Sequence, residues 1–223
     1  MNDPAPTAFV LLAATMACIS IWVMRSWARV WLQRKAVPNF RALAERLGLK
    51  FVSVEPETAL ATGILRGKPV ELFAYTAPVP RGGWLSWAAV SARATDTAKL
   101  TFVLNGEGNY FPQLDRFNRM FCRPRLTTGD SLFDAKWVIV SSNSPEFFAA
   151  ALIPELRAKL MASHAVGARG SFQLENGVVR SAEVGRFSDT KRCARFPALA
   201  GIVCDLADIV EVAPVSGDTQ RKT

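Results

Sequence analysis

Residues 171–184 read SFQLENGVVRSAEV, and they contain the clearest folding signal in the chain. At their centre, Asn176 and Gly177 form a dipeptide that accepts the positive φ values of a two-residue hairpin turn. The residues on either side have the composition of β-strands. The stretch therefore predicts an antiparallel β-hairpin.

More strands are predicted on the N-terminal side of this hairpin. Residues 62–75 favour two strands around a turn at residues 66–68, and residues 85–92 and 100–105 are further strand-like runs. Because the gaps between these runs are too short for helical crossovers, we expect an antiparallel meander. Residues 136–142 predict another strand.

Helices are predicted where apolar residues repeat every three or four positions. Residues 37–39 are expected to end a first helix and to cap a short second one over residues 40–47. A helix that starts at Pro145 is expected to be interrupted at Pro154 and then to resume. A final helix is expected to begin at Pro197.

The final helix is predicted to bury one face and to expose the other. Six apolar residues share the inner face: Leu199, Ile202, Val203, Leu206, Ile209 and Val210. The acids Asp205, Asp208 and Glu211 are interpreted as a solvated face rather than a metal site. Together the elements predict an α+β fold in which amphipathic helices pack on an antiparallel sheet. Helix-then-hairpin order at residues 39–75 and 144–184 further predicts two similar halves.

The N-terminal part contains an apolar run typical of a membrane anchor. Residues 8–24 (AFVLLAATMACISIWVM) contain no charged residue, and as a helix they extend about 25 Å. A hydrocarbon core is about 30 Å thick, and flanking tryptophan and arginine side chains can cover the remainder. We therefore expect a single transmembrane helix. The residues expected at the membrane interface are Trp22, Arg25, Trp27, Arg29, Trp31, Arg34 and Lys35.

The charges around this run indicate its orientation. The first seven residues contain Asp3 and no base, whereas residues 25–50 contain seven basic residues and one acid. A cleaved signal peptide has a basic start, so a retained anchor fits better. A cleaved leader, which would export the domain, is the alternative. By the positive-inside rule, the N-terminus is expected outside the inner membrane and the domain in the cytoplasm.

This interpretation divides the chain into five parts. They are an external N-terminus (1–7), a transmembrane helix (8–24), a basic, tryptophan-rich flank (25–36), a cytoplasmic α+β domain (37–212) and a flexible tail (213–223).

The net charge of +8 does not predict a nucleic-acid-binding protein. Most of the excess lies in residues 25–50, whereas a nucleic-acid surface spreads over a face of a folded domain. A second basic group, interleaved with phenylalanines at helical spacing, consists of Arg116, Arg119, Arg123 and Arg125. Such a helix either lies on anionic lipid headgroups or turns its phenylalanines to the core and its arginines to water.

The sequence contains no common catalytic motif. Its one histidine, His164, lies in a small-residue linker, and there is no P-loop, nucleophile elbow or H-E-x-x-H. No cofactor or metal ion is expected. Cys193 lies among Lys191, Arg192 and Arg195, and nearby cations favour a reactive thiolate. This thiol is the specific indication of an enzyme.

Residues 130–184 contain an ordered set of packing and turn positions. They are Asp130, Phe133, Asp134, Trp137, Val138, Ile139, Val140, Pro145, Leu152, Pro154, Glu155, Leu156, Leu160, Phe172, Gly177 and Val178. Their order resembles that in a group of uncharacterised bacterial membrane-anchored proteins, known only as domains of unknown function. The resemblance implies an anchor before a cytoplasmic α+β domain, and it implies no reaction and no functional residue.

These observations favour a single-pass inner-membrane protein whose cytoplasmic domain binds a partner protein or the membrane surface. The lipid bilayer is then one partner, and nucleic acid is not expected. The alternative is an enzyme whose active site is assembled from distant residues and depends on the Cys193 thiol. The sequence does not indicate an oligomeric state.

Overall fold

A computed structural model of the chain contains an eight-stranded antiparallel sheet within the residues it describes. These are residues 5–53, 59–78, 83–94, 101–106, 125–141, 145–165 and 171–213, without the side chains of residues 5–14, 25–35, 145 and 164–165. The strands are β1 (Lys50–Ser53), β2 (Leu60–Leu65), β3 (Lys68–Pro78), β4 (Trp84–Arg93), β5 (Phe102–Gly106), β6 (Trp137–Ser141), β7 (Ser171–Glu175) and β8 (Val178–Val184). Their order across the sheet is β1-β2-β3-β4-β8-β7-β5-β6.

Helices pack on this sheet, which confirms the predicted α+β class. They are α1 (Ala5–Arg46), α2 (Ser131–Lys136), α3 (Pro145–Ala151), α4 (Pro154–Ala165) and α5 (Thr190–Glu211). Helix α5 packs on the central strands β4 and β8, and both α1 and α4 pack against α5. All six apolar residues predicted on the inner face of this helix are buried. The core therefore lies between α5 and the centre of the sheet.

Two hairpin turns form where the sequence predicts them. Arg66 and Gly67 join β2 to β3 with φ values of 54° and 80°, and Asn176 and Gly177 join β7 to β8 with 51° and 73°. Both central residues of such a turn need positive φ, which asparagine and glycine accept at low cost. The predicted interruption at Pro154 is also confirmed, because α3 ends at Ala151 and α4 begins at Pro154.

The predicted meander is correct from β2 to β4 and wrong for β5. Strand β8 takes the place beside β4, and β5 pairs with β6 and β7. The ladder between β4 and β8 joins seven residue pairs, whereas β5 has only five residues that could pair with β4. A longer ladder satisfies more backbone hydrogen-bonding groups. The hairpins β2–β3 and β7–β8 occupy unlike places in the sheet, so the predicted similar halves are not found in the strand order.

The predicted helix boundaries at two prolines are wrong. Helix α1 continues through Pro38, and Asn39 does not cap a new helix, because its side-chain amide donates to the carbonyl oxygens of Phe187 and Ser188 at 3.1 and 3.3 Å. Helix α5 contains Pro197 and begins at Thr190, after an N-cap at Asp189. In both helices, tertiary contacts and capping offset the backbone hydrogen bond that a proline removes.

Among the residues that the structure describes, no helix has the length and apolarity of a membrane span. The predicted anchor, residues 8–24, lies within α1, and its described side chains begin at Thr15. The anchor and the predicted domain boundaries stay predictions. Residues 1–4 and 214–223, in the predicted N-terminus and tail, are outside the described part of the chain.

Candidate functional site

The acids on the outer side of α5 are paired with cations from other elements. The Asp205 carboxylate contacts Arg66 Nη1 at 2.5 Å and Lys159 Nζ at 2.7 Å. Lys68 Nζ lies 3.0 Å from Asp208 Oδ1 and also donates to Glu211. The predicted solvated face is thus found only in part, because the Asp208 side chain is 56% exposed, whereas those of Asp205 and Glu211 are 15% and 21% exposed. These acids hold α5 to the β2–β3 hairpin and to α4.

Lys68 is the buried member of this group, with only 9% of its side chain exposed. Burial lowers the pKa of Lys68, but hydrogen bonds with Glu211 and Asp208 outweigh burial, so the pKa is raised above 10.5. A lysine whose pKa is raised on folding stabilises the fold fully below its unfolded-state pKa. This contribution is lost as the pH rises through the folded-state value.

A second ion-pair group lies under the N-terminal turns of α5. The Glu183 side chain is 3% exposed, and its Oε2 accepts from Arg195 Nη2 at 2.7 Å and lies 3.5 Å from Arg192 Nε. Arg192 also donates to the Arg186 carbonyl oxygen at 2.8 Å. Its guanidinium group occupies the space where a side chain on Gly185 would lie, and Gly185 has a φ of 126°. This cluster fixes the end of β8 beneath α5.

Cys193 has a different environment from the one its sequence neighbours predict. Its thiol is half-buried and donates to the Phe187 carbonyl oxygen at 3.2 Å. The pKa of Cys193 is raised to about 11, mainly by burial and also by Asp189, while Arg192 opposes the shift. Arg195, one of the expected activating cations, pairs with Glu183 instead. A raised pKa favours the protonated thiol at neutral pH, so this environment does not support the alternative of a reactive Cys193 thiolate.

An open groove lies between α4 and α5, with a volume of about 500 Å³. This is within the range of roughly 300–1,000 Å³ that is usual for ligand sites. Small residues line much of it, and the space beside Gly201 is open. The lining residues are Lys159, Ala162, Ser163, Ala194, Arg195, Ala198, Leu199, Gly201, Ile202 and Asp205. Sequence reasoning missed this groove, because its two walls come from helices that are separated along the chain by β7 and β8.

The charged residues of the groove are paired within the chain. Lys159 contacts Asp205 at one end, and Arg195 contacts the buried Glu183 at the other. The surface between them consists of alanine, glycine, leucine and isoleucine, with the hydroxyl of Ser163 donating to the Leu160 carbonyl oxygen. The groove therefore offers an apolar surface with little unsatisfied charge.

The residues predicted to contact the membrane or a partner are described by the structure only in part. Trp22 is 71% exposed, whereas the side chains of the other predicted interface residues, from Arg25 to Lys35, are outside the described part. Arg116, Arg119 and Arg123 also fall outside it. Arg125 donates to the carbonyl oxygens of Asp134 and, at 3.0 Å, Trp137, so it ties its own segment to α2 and β6.

His164 and Cys204 both lie in helices. His164 lies in the last turn of α4 rather than in a linker, and its side chain is not described. Within the described residues, no three histidine, cysteine, aspartate or glutamate side chains are grouped so that they could hold a metal ion. Cys204 is fully buried in α5, where it belongs to the hydrophobic core.

Replacing Lys68 tests the buried ion pairs. Lys68→Met keeps the apolar stem but leaves Asp208 and Glu211 without their shared cation, so we expect the free energy of unfolding to fall by about 2 kcal/mol. Lys159→Met is the matched control, because the Lys159 side chain is 54% exposed and exposed pairs contribute less than about 1 kcal/mol. Urea titration of the full chain in detergent measures both. Equal losses in the two variants would contradict the buried role of Lys68.

The ionisation of Cys193 can be measured by alkylation. We expect the folded protein to show half-maximal thiolate formation at Cys193 near pH 11, and alkylation at pH 8 to be far slower than for free glutathione. Unfolding in urea removes the burial and should restore ordinary reactivity. Peptide mass spectrometry resolves this cysteine from the others. Rapid alkylation of folded protein at pH 8 would restore the case for a thiol-dependent enzyme.

Comparison with known proteins gives little beyond the fold. No protein-family model matches the chain, and no curated protein matches it. Among solved structures, the chain is similar to the crystal structure of the mycobacterial trehalose monomycolate transport factor A, TtfA, with a TM-score of 0.48 and 11% sequence identity. The alignment covers 82% of this chain and 96% of that one. A likeness this weak concerns backbone arrangement, and membership of the uncharacterised membrane-anchored group stays a prediction.

Proposed function

We propose that this chain is a membrane-anchored binding protein. Residues 8–24 hold it in the bilayer, and the domain binds an apolar partner segment in the groove between α4 and α5. The observation that carries the proposal is the exposure of residues 15–24. They lie in a continuous helix, and every one of them is exposed.

The exposed part of α1 is apolar on all sides. Met16, Ile19, Ile21, Val23 and Met24 are among the most exposed large hydrophobic residues of the described chain, together with Trp22. Apolar surface costs roughly 25 cal/mol per Å² when it remains in water. A helix that is apolar all round is stable in a core or in lipid, where its backbone groups are already hydrogen-bonded. A bilayer around residues 8–24 meets this requirement.

The orientation follows from the charges beside the anchor. The basic residues are all on the C-terminal side of the apolar run, and Asp3 precedes it. The positive-inside rule then supports a cytoplasmic domain at the inner membrane. In that arrangement Trp27, Trp31 and the basic residues of the flank lie in the headgroup layer.

The groove supports binding rather than chemistry. Its charged rim residues are paired within the chain, so an anionic or cationic ligand would have to compete with Asp205 or Glu183. An apolar segment would not have to displace these ion pairs, and it would cover the exposed Ala162, Ala194 and Ala198. The thiol that favoured an enzyme is half-buried, and burial raises its pKa, so binding is the function that we propose.

Anchoring is tested by placing charge in the exposed part of α1. Each lysine at the centre of a membrane helix costs about 3 kcal/mol, so Ile19→Lys combined with Ile21→Lys should release the full chain from membranes washed at alkaline pH. Ile64→Lys is the control, because Ile64 is equally exposed but lies in the domain. The native chain and the control should stay in the membrane pellet. Release of the native chain by the same wash would contradict the anchor.

Binding in the groove is tested by photo-crosslinking in intact cells. A photoreactive phenylalanine derivative in place of Ala198, which is exposed and lines the groove, should give a discrete adduct. The same residue in place of the exposed Glu175, next to the β7–β8 turn, is the control and should give none. Ala162→Trp would fill the groove from the opposite wall and should abolish the adduct at position 198. No adduct, or equal adducts at both positions, would contradict groove binding.

A further inference from the structure

Helix α1 enters the domain at one end of the sheet. Asn39 donates to the Phe187 carbonyl oxygen at 3.1 Å, and the rings of Phe40 and Phe187 are 4.9 Å apart. Two residues earlier, the Gly185 amide donates to the Ser86 carbonyl oxygen at 2.7 Å. The entry point of α1 is therefore next to the end of the sheet at which β3 leads into β4. The turns at residues 66–67 and 176–177 lie at the opposite end.

We call the end of the sheet at which β3 leads into β4 the entry end. It is close along α1 to the predicted flank of the anchor, residues 25–36. Trp84 is two residues beyond Ser86, which is about 7 Å along a strand. The same distance from Asn39 toward the N-terminus of α1 covers about five residues of helix, and it therefore reaches residues 25–36. By these lengths, this end of the sheet is within reach of the membrane layer in which the flank, residues 25–36, is expected.

Apolar side chains are exposed at this end. Trp84 is 71% exposed, whereas Trp87 and Trp137, in the same sheet, are 9% and 1% exposed. Leu85 and Val184 are exposed at the same end. They lie on the opposite face of the sheet from Trp84, because successive residues of a strand alternate between faces and Val184 pairs with Trp87. Packing among the described residues does not account for an exposed tryptophan here, and tryptophan rings are enriched at membrane interfaces.

Basic side chains accompany the apolar ones. Arg186 lies at this end and donates from Nε to Ser86 Oγ at 3.0 Å, and Lys191 is exposed in the first turn of α5. The exposed acid nearby, Asp189, is engaged as the N-cap of α5. At the opposite end, the cations Arg66 and Lys68 are neutralised by acids of α5. The entry end thus combines apolar and cationic character.

We propose that Trp84, Leu85, Val184, Arg186 and Lys191 form a second membrane contact, which lies on the anionic surface of the bilayer that holds α1. The apolar side chains enter the headgroup layer, and the cations meet lipid phosphates. This contact fixes the orientation of the domain and leaves the groove open to the cytoplasm. The inference rests on the proposed anchor and adds the lipid chemistry that the domain itself recognises.

The test uses the full chain in vesicles of phosphatidylcholine and phosphatidylglycerol that contain a phospholipid with a photoactivatable diazirine near the headgroup. We expect adducts at Trp84, Leu85 and Val184, and none at Ile64, which is 65% exposed at the opposite end. Omitting phosphatidylglycerol should lower labelling of the entry end several-fold. Trp84→Asp should lower it in the same way, whereas the matched Ile64→Asp should not.

The outcomes separate this inference from the proposed anchor. Labelling within residues 8–24 without labelling at Trp84 and Val184 would overturn the second contact and leave the anchor in place. Equal labelling at Trp84 and Ile64 would overturn it too, because it would indicate random collision. If a photoreactive residue at position 84 formed an adduct with a protein instead of lipid in intact cells, this end would be a protein interface. No labelling in either region would overturn the proposed function itself.

Discussion

The packing of α5 across β4 and β8 is the contact on which the rest of the structure depends. Buried residues such as Phe196, Leu199 and Val203 place this helix over the two central strands. Both α1 and α4 then pack against it. Ion pairs fix its two ends, with Glu183 under the first turns and Lys68 near the last one. The helix therefore sets the entry point of α1, and with α4 it forms the groove.

The same helix relates the proposed anchor to the groove that we propose as the binding surface. Loop residue Phe187 contacts Phe40 of α1 and Phe196 of α5, so the first turns of α5 are held at the end of the domain from which α1 leaves. From there α5 runs to the opposite end, where Glu211 meets Lys68. The groove lies along this path. In the proposed orientation, a cytoplasmic partner can reach the groove while the entry end of the sheet faces lipid.

Features that depend on neighbouring residues could be predicted from the sequence. The turn at Asn176 and Gly177 needs only the φ preferences of those two residues, and the buried face of α5 needs only a 3.6-residue repeat. The interruption at Pro154 is local in the same sense. In each case a short segment contains all the information that decides its structure, and the structure confirms these predictions.

Features that depend on distant partners could not be predicted from the sequence. Lys68 and Glu211 are 143 positions apart, and neither residue signals the other, so the acids of α5 seemed solvated. The pairing of β8 with β4 is equally non-local. At Cys193, the cations that are close in sequence do not decide the thiol pKa, because burial dominates and Arg195 turns to Glu183. Asn39 and Pro38 mislead for the same reason, since contacts with Phe187 and Ser188 override a local helix-stop signal.

The central claim is that residues 8–24 lie in lipid while the domain remains outside it. Hydrogen–deuterium exchange of the full chain in phospholipid vesicles measures this directly, because backbone amides in the hydrocarbon core have no access to water. The account predicts that amides of residues 8–24 remain protected after the predicted flexible tail, residues 213–223, has exchanged completely. Complete exchange of residues 8–24 on the timescale of that tail, with the core strands β4 and β8 still protected, would contradict it.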